Sequence, residues 1–193
     1  MKIRIASKEL IHFIGIGGIG MSGLAQIMHN MGFRIQGSDL AENKNIDKLR
    51  SLGIKVFIGH SKKNIQNISL AVTSSAIKIN NEEYIFCKKY KIPTFKRSYM
   101  LANIISLKKN IIVTGSHGKT TTTSLISHVL VEAGLDPTVI NGGVINSIKN
   151  NAKLGKGDWS VVEADESDGS FLHLPVTYSV VTNIDHEHLD YYK

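Results

Sequence analysis

The chain has 193 residues but one cysteine, one tryptophan and three prolines. A single thiol, Cys87, cannot build a disulfide framework and fits a reducing compartment; its expected role is core filler. Residues 1–6 are basic, yet no apolar signal core or small-residue cleavage site follows, so the cytoplasm is the expected location. No apolar run approaches the roughly 20 residues that a membrane-crossing helix needs, and no membrane partner is expected. Acidic residues are scarce at first. Residues 1–110 carry 18 Lys and Arg against 6 Asp and Glu, whereas residues 111–193 carry 5 against 10. A basic first part suits an anionic ligand, and acids gathered between Asp158 and Asp190 suit a metal ion. The lysines are scattered and no aromatic-interleaved basic motif occurs, which argues against a nucleic-acid partner. What remains is a globular composition, 42% hydrophobic and 20% charged, with apolar mass for one large or two small cores.

Low-complexity tracts and sequence repeats are also missing, but strand and helix patterns alternate throughout. Strands are expected at residues 10–16, 33–37, 54–58, 70–73 and 92–95, with helices at 20–31, 41–52, 82–90 and 98–106. Later strands are expected at 110–114, 137–140, 159–163 and 178–182, and a helix at 122–132. Such alternation predicts an α/β fold with doubly wound parallel sheets. The polar run at 107–110 places a domain boundary there, with residues 1–107 as one unit and 108–193 as the start of a second. No capping element closes the sequence after Asp190, so it reads as the opening part of a longer protein.

Two glycine turns carry the chemistry. Gly15-Ile16-Gly17-Gly18-Ile19-Gly20 spells G-x-G-x-x-G between a strand and a helix. Its first glycine makes the turn, the second admits a diphosphate to the backbone, and the third permits close helix–sheet packing. Asp39 ends the next strand, where an acid meets a ribose hydroxyl. This spacing suits NAD or any nucleoside diphosphate, so an NAD-dependent oxidoreductase is one reading.

The second turn is Thr114-Gly115-Ser116-His117-Gly118-Lys119-Thr120-Thr121, again between strand and helix. Backbone N–H groups there face a triphosphate, Lys119 neutralises its β/γ oxygens and Thr120 reaches Mg²⁺. The general phosphate loop has a further glycine where this chain has Val113, so a tighter loop beginning at Gly115 is implied. Hydride transfer does not require this second loop. Four acids lie within residues 163–168, and Glu163 at the strand edge suits a metal. Asp185, His186, Glu187, His188 and Asp190 form a second metal-like cluster, although zinc spacing is incomplete.

Taken together, these motifs resemble those of the Mur ligase family, ATP-dependent amide-forming enzymes of peptidoglycan synthesis. The resemblance runs from about residue 11 to 191 and rests on residues 13–23, 73–77, 114–123, 140–143, 163–172 and 182–190. It implies a Rossmann-like UDP-sugar domain followed by a P-loop-type ATPase domain of which only the opening part is present. It further implies ATP and Mg²⁺ as cofactors. The implied substrates are UDP-N-acetylmuramate and L-alanine, joined through an acyl phosphate, with a peptide acceptor as the alternative. By the same resemblance Gly15, Gly17, Gly18 and Gly20 cradle the UDP diphosphate, while Asp39, His60, Ser74, Ser75 and Arg97 line the UDP-sugar site. Gly115, Ser116, His117, Gly118, Lys119, Thr120 and Thr121 hold the ATP phosphates, and Thr120, Glu163 and His188 hold Mg²⁺. Catalysis then falls to Lys119, Glu163 and His188. The family's adenine-binding and C-terminal parts lie beyond residue 193, so the 193 residues alone are expected to form no product.

Overall fold

The computed structural model describes residues 9–145, 150–164 and 170–186. The chain divides into two compact units, Met1–Met100 and Leu101–Lys193. The first holds a fully parallel sheet in the order β3-β2-β1-β4-β5, formed by β1 (Leu10–Ile14), β2 (Arg34–Asp39), β3 (Lys55–Ile58), β4 (Leu70–Thr73) and β5 (Thr94–Lys96). Helices α1 (Ile19–Asn30), α2 (Lys44–Ser51) and α3 (Glu82–Lys89) join the strands, and α4 (Arg97–Ile105) follows β5. Strand order reverses between β1 and β4, so the carboxyl ends of these two strands form the crevice where open α/β sheets bind ligands.

Apart from His12, the central strand β1 is apolar on both faces because both are covered. Ile11, Phe13 and Ile14 are all fully buried, each worth about 1.5–3 kcal/mol against exposure. On the α3 face Ile14, Ala71, Ile65 and Cys87 form one cluster with Phe86 and Ile92 around it. Cys87 is therefore packing material, and burial pushes its thiol pKa up. Helix α1 departs from a one-sided pattern: every residue from Met21 to Met28 is buried, Ser22 and Gln26 included, while the apolar ends Ile19 and Met31 lie out. Helix α2 begins at Lys44 rather than 41 because the Asn43 side chain caps it, accepting from the N–H groups of Asn45 and Ile46.

Strand β2 passes β1 closely at Gly37. A Cβ there would lie 2.6 Å from the carbonyl oxygen of Phe13 and 2.7 Å from Cβ of Ile16. Backbone cannot yield as a flexible side chain would. Gly37→Ala is expected to cost about 1–3 kcal/mol, the range for overpacking, read by urea unfolding; a loss under about 0.5 kcal/mol would contradict this packing.

The second unit holds the sheet β10-β6-β9-β7-β8. Its strands are β6 (Lys109–Thr114), β7 (Thr138–Ile145), β8 (Asn150–Lys153), β9 (Trp159–Glu163) and β10 (Tyr178–Val181). All pairs are parallel except β7 with β8. Strand β8 was not expected, since Asn-Asn-Ala-Lys carries no β signal. Helix α5 (Lys119–Glu132) starts three residues before the expected position because Gly118, at φ +80°, supplies the left-handed turn at its N-cap. Its sheet-facing residues include small polar Thr123 and Ser127, both buried, while Leu125 and Val129 point outward. Ser127 Oγ donates to the Thr123 carbonyl at 2.6 Å, meeting its hydrogen-bonding need within the helix. No helix among the described residues is long and apolar enough to cross a membrane.

Candidate active site

Each unit places a glycine turn at the carboxyl end of its first strand. In the first, Gly15 follows β1 directly, and both Gly15 N and Ile16 N donate to the Ser38 carbonyl at 2.8 and 2.9 Å. Ser74, just past β4, sits so near that a Cβ on Gly15 would lie 3.2 Å from Cβ of Ser74. The crevice at the order reversal therefore brings together Gly15, Gly17, Gly18, Ser74 and Ser75. Asp39 closes it from β2: Oδ2 accepts from Gly17 N at 2.7 Å and Oδ1 from Leu40 N at 2.8 Å. A carboxylate has about four acceptor positions, so Asp39 retains capacity for a ribose hydroxyl. Gly20 differs from its expected role. A Cβ there would meet not the sheet but the Arg97 guanidinium, at 3.2–3.3 Å. The third glycine thus seats an arginine beside the N-terminus of α1, where positive charge and helix dipole both favour an anion.

His60 lies deeper than a ligand-lining residue was expected to lie, with its side chain 9% exposed. Nδ1 lies 2.9 Å from Ser38 Oγ, which in turn donates to Glu83 Oε2 at 2.5 Å. The serine's only proton is thereby used, so His60 Nδ1 carries the proton between them. Sequence reading missed the remainder of this network. His12 on β1 and Glu83 on α3 are both fully buried and meet at 3.1 Å. Gln36 Nε2 donates to the Asn64 carbonyl at 2.8 Å and contacts His12 Nδ1 at 3.2 Å, which leaves His12 Nδ1 as acceptor and puts its proton on Nε2, toward Glu83. Glu83 Oε1 accepts from Asn64 Nδ2 at 2.8 Å and Ser61 N at 3.1 Å. Burial alone would raise this carboxyl; the hydrogen bonds from His12, Ser38 and Asn64 outweigh it and hold it at about 2. The available signal was His12 inside an otherwise apolar strand.

In the second unit the register sets Val113, at the end of β6, opposite Glu163 at the end of β9. The phosphate loop leaves β6 at that point, so Glu163 stands beside the first turn of α5. Thr120 Oγ1 donates to Glu163 Oε2 at 3.0 Å, and Gly142 N donates to the same oxygen at 2.8 Å. Lys119 Nζ reaches over the loop to the carbonyls of Gly115 and Ser116, at 2.5 and 3.1 Å. Gly118 turns the chain into α5, and Thr121 lies exposed in its first turn. Close by, Asn141 Nδ2 lies 3.3 Å from Ser124 Oγ, while the buried Asn141 Oδ1 has no hydrogen-bond partner.

These groups fit Mg²⁺. A hydroxyl and a carboxylate converge as hard oxygen donors, Gly142 keeps the space beside them open (a Cβ would lie 2.5 Å from Glu163 Oε1), and an unpartnered amide oxygen adjoins. Among the described residues no group of three or more His, Cys, Asp or Glu forms a metal cluster. His188, the acids at 165–168 and Asp190 lie outside the described residues. His186 is exposed. Ser116 and His117 are engaged from across the sheet: His117 N donates to Asn183 Oδ1 at 2.8 Å, and Ser116 Oγ accepts from Asp185 N at 2.9 Å.

Comparison with known proteins agrees in both units. Residues 10–109 match the Mur ligase family catalytic domain and residues 113–193 the Mur ligase middle domain. The UDP-N-acetylmuramate–L-alanine ligase of Pelagibacter ubique (strain HTCC1062) is 63% identical over 100% of this chain and 41% of its own length. That of Rickettsia felis is 56% identical over 96% of the chain and 39% of its own. The chain thus spans about two fifths of the length of these curated relatives. Among solved structures, the UDP-N-acetylmuramate–alanine ligase MurC of Thermotoga maritima superimposes with a TM-score of 0.89 at 35% identity, covering 94% of this chain and 43% of that one. The UDP-N-acetylmuramate:L-alanyl-γ-D-glutamyl-meso-diaminopimelate ligase of Neisseria meningitides gives 0.90 at 28%, covering 96% and 64%. With both glycine turns, the Lys119–Thr120–Glu163 arrangement and matches to successive family domains along its length, the chain belongs to the Mur ligase family.

Proposed function

We propose that this chain is the UDP-sugar-binding and phosphate-binding part of a cytoplasmic, ATP-dependent ligase. The ligase joins L-alanine to the lactyl carboxylate of UDP-N-acetylmuramate in peptidoglycan precursor synthesis. We place the boundary between its two parts at 107/108. The observation that carries the reading is the convergence of Lys119, Thr120 and Glu163 on one phosphate loop, in a chain whose first unit already has a separate diphosphate turn. An oxidoreductase needs only the first.

A carboxylate does not condense with an amine in neutral water because hydroxide is a poor leaving group. In the proposed reaction the lactyl carboxylate takes the γ-phosphoryl group of ATP. The amine of L-alanine then attacks the acyl phosphate and inorganic phosphate leaves. No nucleophilic side chain is required, so the protein's task is positioning and charge neutralisation. Two unit anions held ~4 Å apart repel by roughly 4 kcal/mol at an effective dielectric near 20. Lys119 offsets part of that repulsion as a cation tethered at the loop. Thr120 and Glu163, together with His188, would hold Mg²⁺, whose chemistry is to neutralise phosphate charge. In the first unit, Arg97 beside Gly20 and the N-terminus of α1 bind and orient the UDP diphosphate, while Asp39 takes a ribose hydroxyl.

The likeness to the Neisseria ligase, whose name specifies a tripeptide, favours a second reading with a peptide acceptor. Phosphate release by the full-length protein, with ATP and UDP-N-acetylmuramate, separates them. L-alanine is expected to support turnover and L-alanyl-γ-D-glutamyl-meso-diaminopimelate is not; turnover with the tripeptide alone would replace the first reading with the second.

A further inference from the structure

We propose that Asn183 is a positioning residue for the phosphate loop: it clasps the loop from the end of β10 and fixes which amides remain to face an anion. The inference rests on the reading of that loop as the ATP-phosphate seat.

The Asn183 side chain behaves like a peptide unit laid against His117. Oδ1 accepts from His117 N at 2.8 Å and Nδ2 donates to His117 O at 3.0 Å. The surrounding segment repeats the grip. Thr182 Oγ1 donates to His117 O at 2.6 Å, Asn183 O accepts from Ser116 N at 3.2 Å, and Asp185 N donates to Ser116 Oγ at 2.9 Å. Gly115 is what lets the two segments touch, since a Cβ there would lie 2.7 Å from Asn183 O and 3.0 Å from Asn183 N. The loop's opening glycine therefore serves the clasp.

Two consequences separate this role from ligand binding. Both ends of the Asn183 amide are committed to His117, so Asn183 orients the seat without touching the phosphates. The amides of Ser116 and His117 are committed as well. Anion recognition then falls to the start of α5, where the first-turn N–H groups have no carbonyl one turn earlier. Only asparagine supplies one donor and one acceptor at this reach. Aspartate keeps the acceptor but sets a second oxygen against His117 O, and alanine keeps neither.

The test uses the full-length protein and Asn183→Ala, with Asn183→Asp as a second variant should alanine fail to fold. Amide exchange at Ser116 and His117, measured without nucleotide, is expected to quicken about tenfold in Asn183→Ala and less in Asn183→Asp. The KM for ATP is expected to rise about tenfold while kcat at saturating ATP and affinity for UDP-N-acetylmuramate stay within about threefold. Loss of kcat with an unchanged KM would show a merely structural role and overturn the proposal. So would unchanged amide exchange in both variants. If the wild-type protein shows no ATP affinity, the nucleotide reading falls and the exchange result alone decides the clasp.

Discussion

Replacing Glu83 with glutamine is expected to destabilise the protein by about 3 kcal/mol, the upper end of the range for leaving buried hydrogen-bonding groups without a partner. The reason is the direction of its bonds. His12 Nε2, Ser38 Oγ, Asn64 Nδ2 and Ser61 N all point hydrogens at one carboxylate. An amide of the same shape turns one acceptor into a donor facing donors, in a place water does not reach. Urea unfolding measures the loss, and a change under about 1 kcal/mol would refute the network as described. Acid provides an independent reading. The folded Glu83 carboxyl, at about 2, lies below its ordinary 4.5, so its stabilisation is complete above pH 4.5 and is lost as pH falls through 2. The difference corresponds to roughly 3 kcal/mol. Glu83→Gln is expected to flatten stability against pH in that window alone. Because Ser38 also receives the Gly15 and Ile16 amides through its carbonyl, the same variant is expected to loosen the first glycine turn.

Lys119→Ala in the full-length protein is expected to abolish acyl-phosphate formation while leaving affinity for UDP-N-acetylmuramate within about threefold. Positioned charge of this kind is worth about two to three orders of magnitude in rate, and more where it also binds the phosphates. The separation follows from the architecture: Lys119 belongs to the second unit, whereas Gly15, Asp39 and Arg97 belong to the first. Isotope exchange into the acyl phosphate measures the first effect and calorimetric titration of the UDP-sugar the second. Normal turnover in this variant would remove Lys119 from the mechanism.

Local signals were legible in the sequence and distant pairings were not. The apolar run of β1 and both glycine turns are written in consecutive residues, and the βα rhythm alone predicts parallel pairing, which holds for every strand pair except β7 with β8. Glu163 could be read because it ends a recognisable strand. Strand β8 could not, because its four residues are strand-like only as the antiparallel partner of β7. Helix α5 was placed late because its opening threonines are poor helix formers and the left-handed Gly118 that starts it is visible only in three dimensions. The His12–Glu83 contact joins residues 71 apart, and Asn183 reaches His117 across 66. In each case one partner alone is an ordinary polar residue, and its meaning depends on which strand lies beside it. The same holds for Gly20, whose neighbour is an arginine 77 positions later rather than the sheet.

The register of the second sheet also sets an order of events during synthesis. In the first unit β1 pairs with β2 beginning at Leu10 and Arg34, partners that emerge close together. Strand β6 has no such neighbour: its pairs are β9, starting at Trp159, and β10, starting at Tyr178. At about 5–20 residues per second, β6 waits on the order of seconds for a partner, with its apolar Ile111, Ile112 and Val113 uncovered. A nascent chain therefore passes through a stage in which the first unit has its shape while the second glycine turn, still unclasped, is a chaperone-accessible segment.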